Sequence, residues 1–353
     1  MKVHFSLERM AQARENHDRW WSGELDRPLT AITIGDAYAA EPWPVAPLTQ
    51  STCADFSHSA EEVIEAMDHE LSRQEYLGDA FPIVHFSAFG PGSLAAFCGA
   101  KLDNSSGGVW FFPKEELEIE DIHIRYDPEN IYVKRIKDLY RAGLEKWNGA
   151  VMMSMPDLGG VLDVAASFRG SENLLLDLYD APEEVLRLVG EIETAWYAAY
   201  NDFAEVLKPQ NGYTDWSGLL SSTPSYVPQC DFCYMIGNPM FREFVLPTLK
   251  RDTERLQNTI YHLDGVGELN HVDDILALPK LHAVQWQPGD GAPTAENWPE
   301  VYEKIQKAGK HAWIEGEPES YLKVLEKFHG TPYYVRTLRK DQLDLAKRVM
   351  EAR

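Results

Sequence analysis

The chain has 353 residues, of which 44% are hydrophobic and 25% charged, and its formal net charge is −23. With 56 acidic residues against 33 basic ones, it lacks the clustered Lys and Arg that nucleic acid or an anionic membrane surface would require. Four cysteines (Cys53, Cys98, Cys230, Cys233) are too few for a disulfide framework at this size and fit a reducing cytoplasm. The first residues are charged throughout and no apolar run approaches the length of a membrane span, so a cytoplasmic protein is expected.

Helical spacing over 6–21, ending near Ser22-Gly23, predicts an N-terminal helical segment over 1–28, with one domain over 29–353. Leu29 to Ile34 alternates as a first strand, and the Pro/Ser/Thr-rich residues 40–58 read as a long loop. A helix at about 59–75 leads to an apolar strand, Phe81 to Phe89, broken by Gly90-Pro91-Gly92 and followed by a short helix from Ser93 to Phe97. Val109 to Phe112 is a brief aromatic strand suited to a hairpin, and Ile119 to Ile124 fits strand or loop.

From Pro128 helices and strands alternate. Helix to Trp147 is followed by strand Ala150 to Met155, the turn Pro156-Asp157-Leu158-Gly159-Gly160, helix over 163–168 and a charged helix over 182–207. Strand 212–216 precedes a polar loop, 217–239, that holds Cys230 and Cys233. A helix over 240–256, kinked at Pro247, leads to strand Ile260 to Asp264. Strands 283–287, 311–314 and 332–336 then alternate with helices near 268–278, 297–308 and 317–328, and a basic helix closes the chain.

Roughly eight such βα units predict a single (β/α)8 TIM barrel with an N-terminal helical extension. A doubly wound open sheet is the rival, but no strand is followed by a G-x-G-x-x-G or P-loop pattern.

In a barrel, catalytic groups belong at the C-terminal strand ends. Those ends carry His85, Asp157, Asp215, His262 with Asp264, Gln285 with Trp286, Glu315 and Arg336. The densest chemistry lies in Tyr261-His262-Leu263-Asp264-Gly265, where strand alternation puts His262 and Asp264 on one face and the glycine permits a sharp exit. Three readings of this pair stand. It could ligate a metal together with Cys230 and Cys233, whose C-x2-C spacing suits one ion. It could be an acid–base pair, with Asp264 orienting His262. Or it could be a structural histidine with its hydrogen-bond partner. Asp157, before two glycines, could hold a substrate or cap the next helix, as could Asp163. His85, Asp215, Trp216, Gln285, Trp286 and Glu315 are candidate substrate contacts, and Arg336 a clamp for a carboxylate. Tyr213, Tyr226 and Trp313 join Trp216 and Trp286 as candidate aromatic walls.

The runs FGPGSLAAFCG (Phe89 to Gly99) and PDLGGVLDVAASFRGSENLLLDLYD (Pro156 to Asp180), with FREFVLP (Phe241 to Pro247) and YHLDG, resemble the uroporphyrinogen decarboxylase-like superfamily. The resemblance covers roughly residues 80 to 340 and implies a TIM barrel with its site in the C-terminal mouth. It implies either tetrapyrrole decarboxylation or zinc-dependent methyl transfer involving corrinoids or thiols. Two departures bear on function. Ala88 stands where the decarboxylase has its catalytic aspartate, and the N-terminal arginines Arg9, Arg14, Arg19 and Arg27 are scattered. Where the methyltransferases carry His-x-Cys, this chain has His262-Leu263-Asp264, and no cysteine follows residue 233.

The first expectation is therefore a methyltransferase acting on a small methylated compound, a corrinoid or a pterin. Zn²⁺ is the implied metal, and a separate corrinoid protein an implied partner. The alternatives are a metal-free decarboxylase or lyase acting on a small carboxylate or tetrapyrrole, with Arg336 as anchor, and a non-catalytic tetrapyrrole-binding barrel.

Overall fold

The structure, a computed structural model, describes residues 3–352. Helix Leu7–Trp21 is capped by Ser6, whose side chain accepts a hydrogen bond from the Arg9 amide. Its apolar face is built into the domain. Trp20 is fully buried, with its ring 4.7 Å from that of His311 and its Nε1 donating to the Thr331 carbonyl at 2.8 Å. Trp21 Nε1 donates to the Leu220 carbonyl, and His17 Nδ1 accepts from the Leu220 amide, both at 3.0 Å.

The main sheet has seven strands, in the order Glu75–Gly78, Leu29–Gly35, Tyr333–Arg339, His311–Ile314, Ala283–Gln287, Asn258–Asp264, Ser225–Tyr226. Every neighbouring pair is parallel except the first. Ile83–Val84 pairs in parallel with Met152–Met153, and the Met155 amide bonds to the Thr214 carbonyl at 2.8 Å. These segments extend the wall only as two-residue staves. Pro82 precedes the first of them without an amide hydrogen to donate, and after His85 the expected strand to Phe89 instead becomes a 3-10 turn, Phe86–Phe89. Among the described residues, strand pairing thus forms a curled, mostly parallel α/β sheet; the expected closed ring of eight paired strands is not continuous. No helix among them is long and apolar enough to cross a membrane.

Several irregular stretches gain structure. Lys101–Asp103 and Trp110–Phe112 form an antiparallel hairpin. A helix over Ser171–Asp180, not foreseen, stands between helices Val161–Arg169 and Pro182–Leu207. The 217–239 loop contains short strands and a 3-10 helix, Asp231–Met235. Pro247 acts as expected of a helix breaker: a π turn, Phe241–Val245, precedes helix Leu246–Arg255. Proline has no amide to donate, and its ring crowds the carbonyl four residues back, so the preceding turn widens.

Candidate active site

Strand Asn258–Asp264 alternates as expected, with Tyr261 and Leu263 buried and His262 and Asp264 partly open. Gly265 then turns the chain at φ +75°, a conformation that costs glycine little. Register places His262 opposite Gln285, and Gln285 opposite Trp313. His262 Nδ1 lies 2.5 Å from Gln285 Oε1, and Gln285 Nε2 donates to Glu315 Oε1 at 2.7 Å. The Glu315 carboxylate orients the amide, and the amide oxygen in turn holds the proton on Nδ1. The lone pair is left on Nε2. Burial lowers the His262 pKa, against the pull of Gln285 and Asp264, so the ring is neutral near pH 7.

The free Nε2 faces Asp231 Oδ1 at 3.8 Å. Asp231, His262 and Asp264 each offer one ligand atom, all within 4.8 Å of one another. Asp231 was not foreseen; it sits inside the C-x2-C motif, where the thiols drew attention away from it. The cysteines themselves lie outside this set. Both are buried in the hydrophobic core, and burial raises their pKa, that of Cys233 to about 11, which keeps them as thiols.

The carboxylate that seats Asp231 is Asp163, which accepts from the amides of Gly160, Asp231 and Phe232 at 3.2, 3.2 and 2.8 Å. Asp157 lies beneath, buried. Its Oδ1 accepts from the Gly159 amide and Gln229 Nε2 at 3.0 and 3.1 Å, an Asx turn. Burial first, then Asp231 and Asp163, raise its pKa to about 7. The Ser93 amide and hydroxyl both donate to the Asp157 carbonyl, at 2.7 and 2.6 Å. The Gly-Pro-Gly loop is thereby locked to the Pro-Asp-Leu-Gly-Gly turn, and a β-carbon on Gly159 would lie 2.6 Å from Gly92 Cα.

The other strand-end residues divide between two faces. Trp216 packs edge-on against His262, with centroids 5.2 Å apart, and against Trp313 at 5.4 Å. The Nε1 atoms of Trp216, which packs on His262, and of Trp313 behind it are buried without a partner among the described residues. Asp215 Oδ1 accepts from the Ser217 amide and hydroxyl, and burial raises its pKa to about 6. His85 is solvent-open, and its Cε1 would lie 4.0 Å from a β-carbon on Gly218, beside Tyr333. Although the residue reaches solvent, surrounding protein desolvates its ring and lowers its pKa to about 4. Trp286, adjacent to Gln285 along the strand, takes the opposite face. It is fully buried against Trp298, with centroids 5.4 Å apart. Arg336 follows Tyr334's face, where Tyr334 stacks on Tyr321 of helix Pro318–Leu325 at 4.1 Å, and its guanidinium is ion-paired with Glu317. Trp286 does not join the His262 cluster, whereas Arg336 lies near enough to Glu315 to offset part of the rise that burial gives its pKa.

No family model and no curated protein matches the chain. Among solved structures, a methyltransferase from Methanosarcina mazei superposes with a TM-score of 0.59, covering 96% of this chain and 97% of its own, at 12% sequence identity. At that identity the likeness is one of fold.

Proposed function

We propose that the chain is a methyl-transfer enzyme working at the Asp231–His262–Asp264 cluster, where a divalent cation binds. The convergence of those three ligand atoms within 4.8 Å carries the reading, and the fold likeness to a methyltransferase supports it. The donors are a neutral imidazole nitrogen and two carboxylates, with no thiolate. That set suits Zn²⁺ or a harder divalent ion better than a thiolate-loving one. When bound, the ion would supply Lewis acidity, lowering the pKa of an acceptor thiol or water. The chain's own residues do the rest. Gln285 and Glu315 hold the Nε2 lone pair toward the ligand position, Asp163 seats Asp231, and Trp216 and Trp313 offer N–H donors to a substrate acceptor atom.

These 353 residues include no corrinoid-ligating D-x-H-x-x-G motif, so in this reading a corrinoid methyl carrier would be supplied free or on a separate protein. The metal-free lyase reading takes Arg336 as a carboxylate anchor; one nitrogen of that guanidinium is paired with Glu317. The test is methyl transfer from small methylated compounds to a thiol or a reduced corrinoid, by wild type and by His262→Ala. Turnover in wild type alone supports the reading. Tight tetrapyrrole binding without turnover in either would favour a non-catalytic barrel.

A further inference from the structure

The two carboxylates of the cluster lie on separate segments. Asp231 opens the 3-10 turn Asp231–Met235, and Asp264 ends its strand just before the short helix Gly265–Glu268. A site assembled from two segments is held only as well as the segments are held to each other. They are joined on both sides of the ligands. Before them, the His262 amide donates to the Pro228 carbonyl at 3.0 Å, continuing the pairing of Ser225–Tyr226 with this strand. Beyond them the ladder has ended, and a ring makes the contact.

Tyr234, three residues past Asp231, lies against Gly265 and Gly267, the second of which is three residues past Asp264. A β-carbon on Gly265 would lie 3.0 Å from Cδ2 and Cε2 of that ring. One on Gly267 would lie 2.7 Å from both Cδ2 and the Tyr234 carbonyl oxygen. At such distances the backbone of one segment would have to move away from the other. Gly265 has a second reason to be glycine, its φ of +75°. Gly267 has no positive φ and sits in a helix, where glycine is a poor choice; the close approach of Tyr234 accounts for it. Val266, between the two glycines, is 43% exposed, and Tyr234 itself 53%, so this contact stands at the rim rather than in the core. His271 Nε2 also donates to the Cys233 carbonyl at 3.1 Å, a second strap that keeps the turn attached if the ring is removed.

We propose that Tyr234 is a positioning residue: its ring, seated on Gly265 and Gly267, fixes the separation of Asp231 from Asp264 and so sets the affinity of the cluster for a divalent cation. This rests on the metal-centre reading of those residues.

The test measures Zn²⁺ affinity of the full chain by competition with a calibrated chelator, amide hydrogen exchange of the metal-free chain over 231–235 and 264–268, and the urea midpoint. Tyr234→Ala and Gly267→Ala are expected to bind Zn²⁺ about 10-fold more weakly than wild type and to exchange faster over both segments. Tyr234→Ala, at an exposed position, should unfold near the wild-type midpoint. Tyr234→Phe keeps the ring and is expected to bind Zn²⁺ within about twofold of wild type. A merely structural role would lower the midpoint and leave the affinity of the folded chain unchanged. Wild-type Zn²⁺ affinity in folded Tyr234→Ala, or a loss in Tyr234→Phe as large as in Tyr234→Ala, would overturn the proposal while leaving the metal centre in place. Absence of Zn²⁺ binding in wild type would remove the metal centre itself, and this role with it.

Discussion

Gln285 is the residue through which the candidate metal centre is most directly tested without touching a ligand. Its amide joins His262 Nδ1 at 2.5 Å to Glu315 at 2.7 Å. Gln285→Leu keeps the side chain's approximate size and removes both bonds. The Nδ1–H then has no acceptor, so the imidazole can adopt the other tautomer, with its proton on the nitrogen that faces Asp231. Glu315, whose pKa burial already raises and the Gln285 bond lowers, loses that stabilising donor and shifts toward its neutral form. Loss of such an outer partner of a metal-binding histidine typically lowers affinity about 10-fold to 100-fold, or about 1.4 to 2.7 kcal/mol. The assay is competition of Zn²⁺ between protein and a calibrated chelator at pH 7.5, with circular dichroism confirming that the variant is folded. Gln285→Glu serves as control because it restores an acceptor for Nδ1–H, so it is expected to lose less affinity than Gln285→Leu. Folded Gln285→Leu binding Zn²⁺ within about twofold of wild type would refute the reasoning.

Metal affinity should depend on pH through Asp231. Burial of its surroundings, then the nearby Asp264, raise its pKa to about 6, although its side chain is half open to water. Zn²⁺ affinity is therefore expected to be full above pH 7 and to weaken as pH falls through about 6, with proton release on binding; equal affinities at pH 5.5 and 7.5 would contradict this. Asp157 makes a stability prediction. Its pKa is raised to about 7, so the folded state holds a proton that the unfolded state has lost, and stability falls as pH rises from about 4 to about 7. Asp157→Asn keeps the Oδ1 acceptor and removes this dependence, gaining at most about 4 kcal/mol over wild type at pH 8. Urea unfolding at pH 5 and pH 8 measures it, and a gain no larger at pH 8 than at pH 5 would count against it. Trp20→Ala opens a cavity where the N-terminal helix meets the sheet and should cost about 3 to 5 kcal/mol; a loss below about 1 kcal/mol by urea unfolding would show that the helix is only loosely attached.

What was legible in the sequence follows from what local patterns can carry. The His262–Asp264 pair and the turn at Gly265 were readable because period-2 alternation and a glycine are local signals. So were the α/β alternation and the disruption at Pro247. Adjacent residues at a strand end are less informative. Gln285 and Trp286 cannot share a face, and only the register with His262 and Trp313 shows which one points to the cluster. The same alternation sends Arg336 outward with Tyr334. Asp231 was hidden because nothing local distinguishes a ligand carboxylate from a solvated one, and because its placement depends on Asp163, 68 residues away. The continuity of a barrel ladder was equally beyond local pattern, since staves of two residues leave no period to read.

The most direct measurement is the metal content and Zn²⁺ titration of the wild-type chain beside His262→Ala. The account predicts one divalent ion per chain in wild type, bound through nitrogen and oxygen donors, and lost in the variant. Absence of binding in both, or equal binding in both, would contradict it.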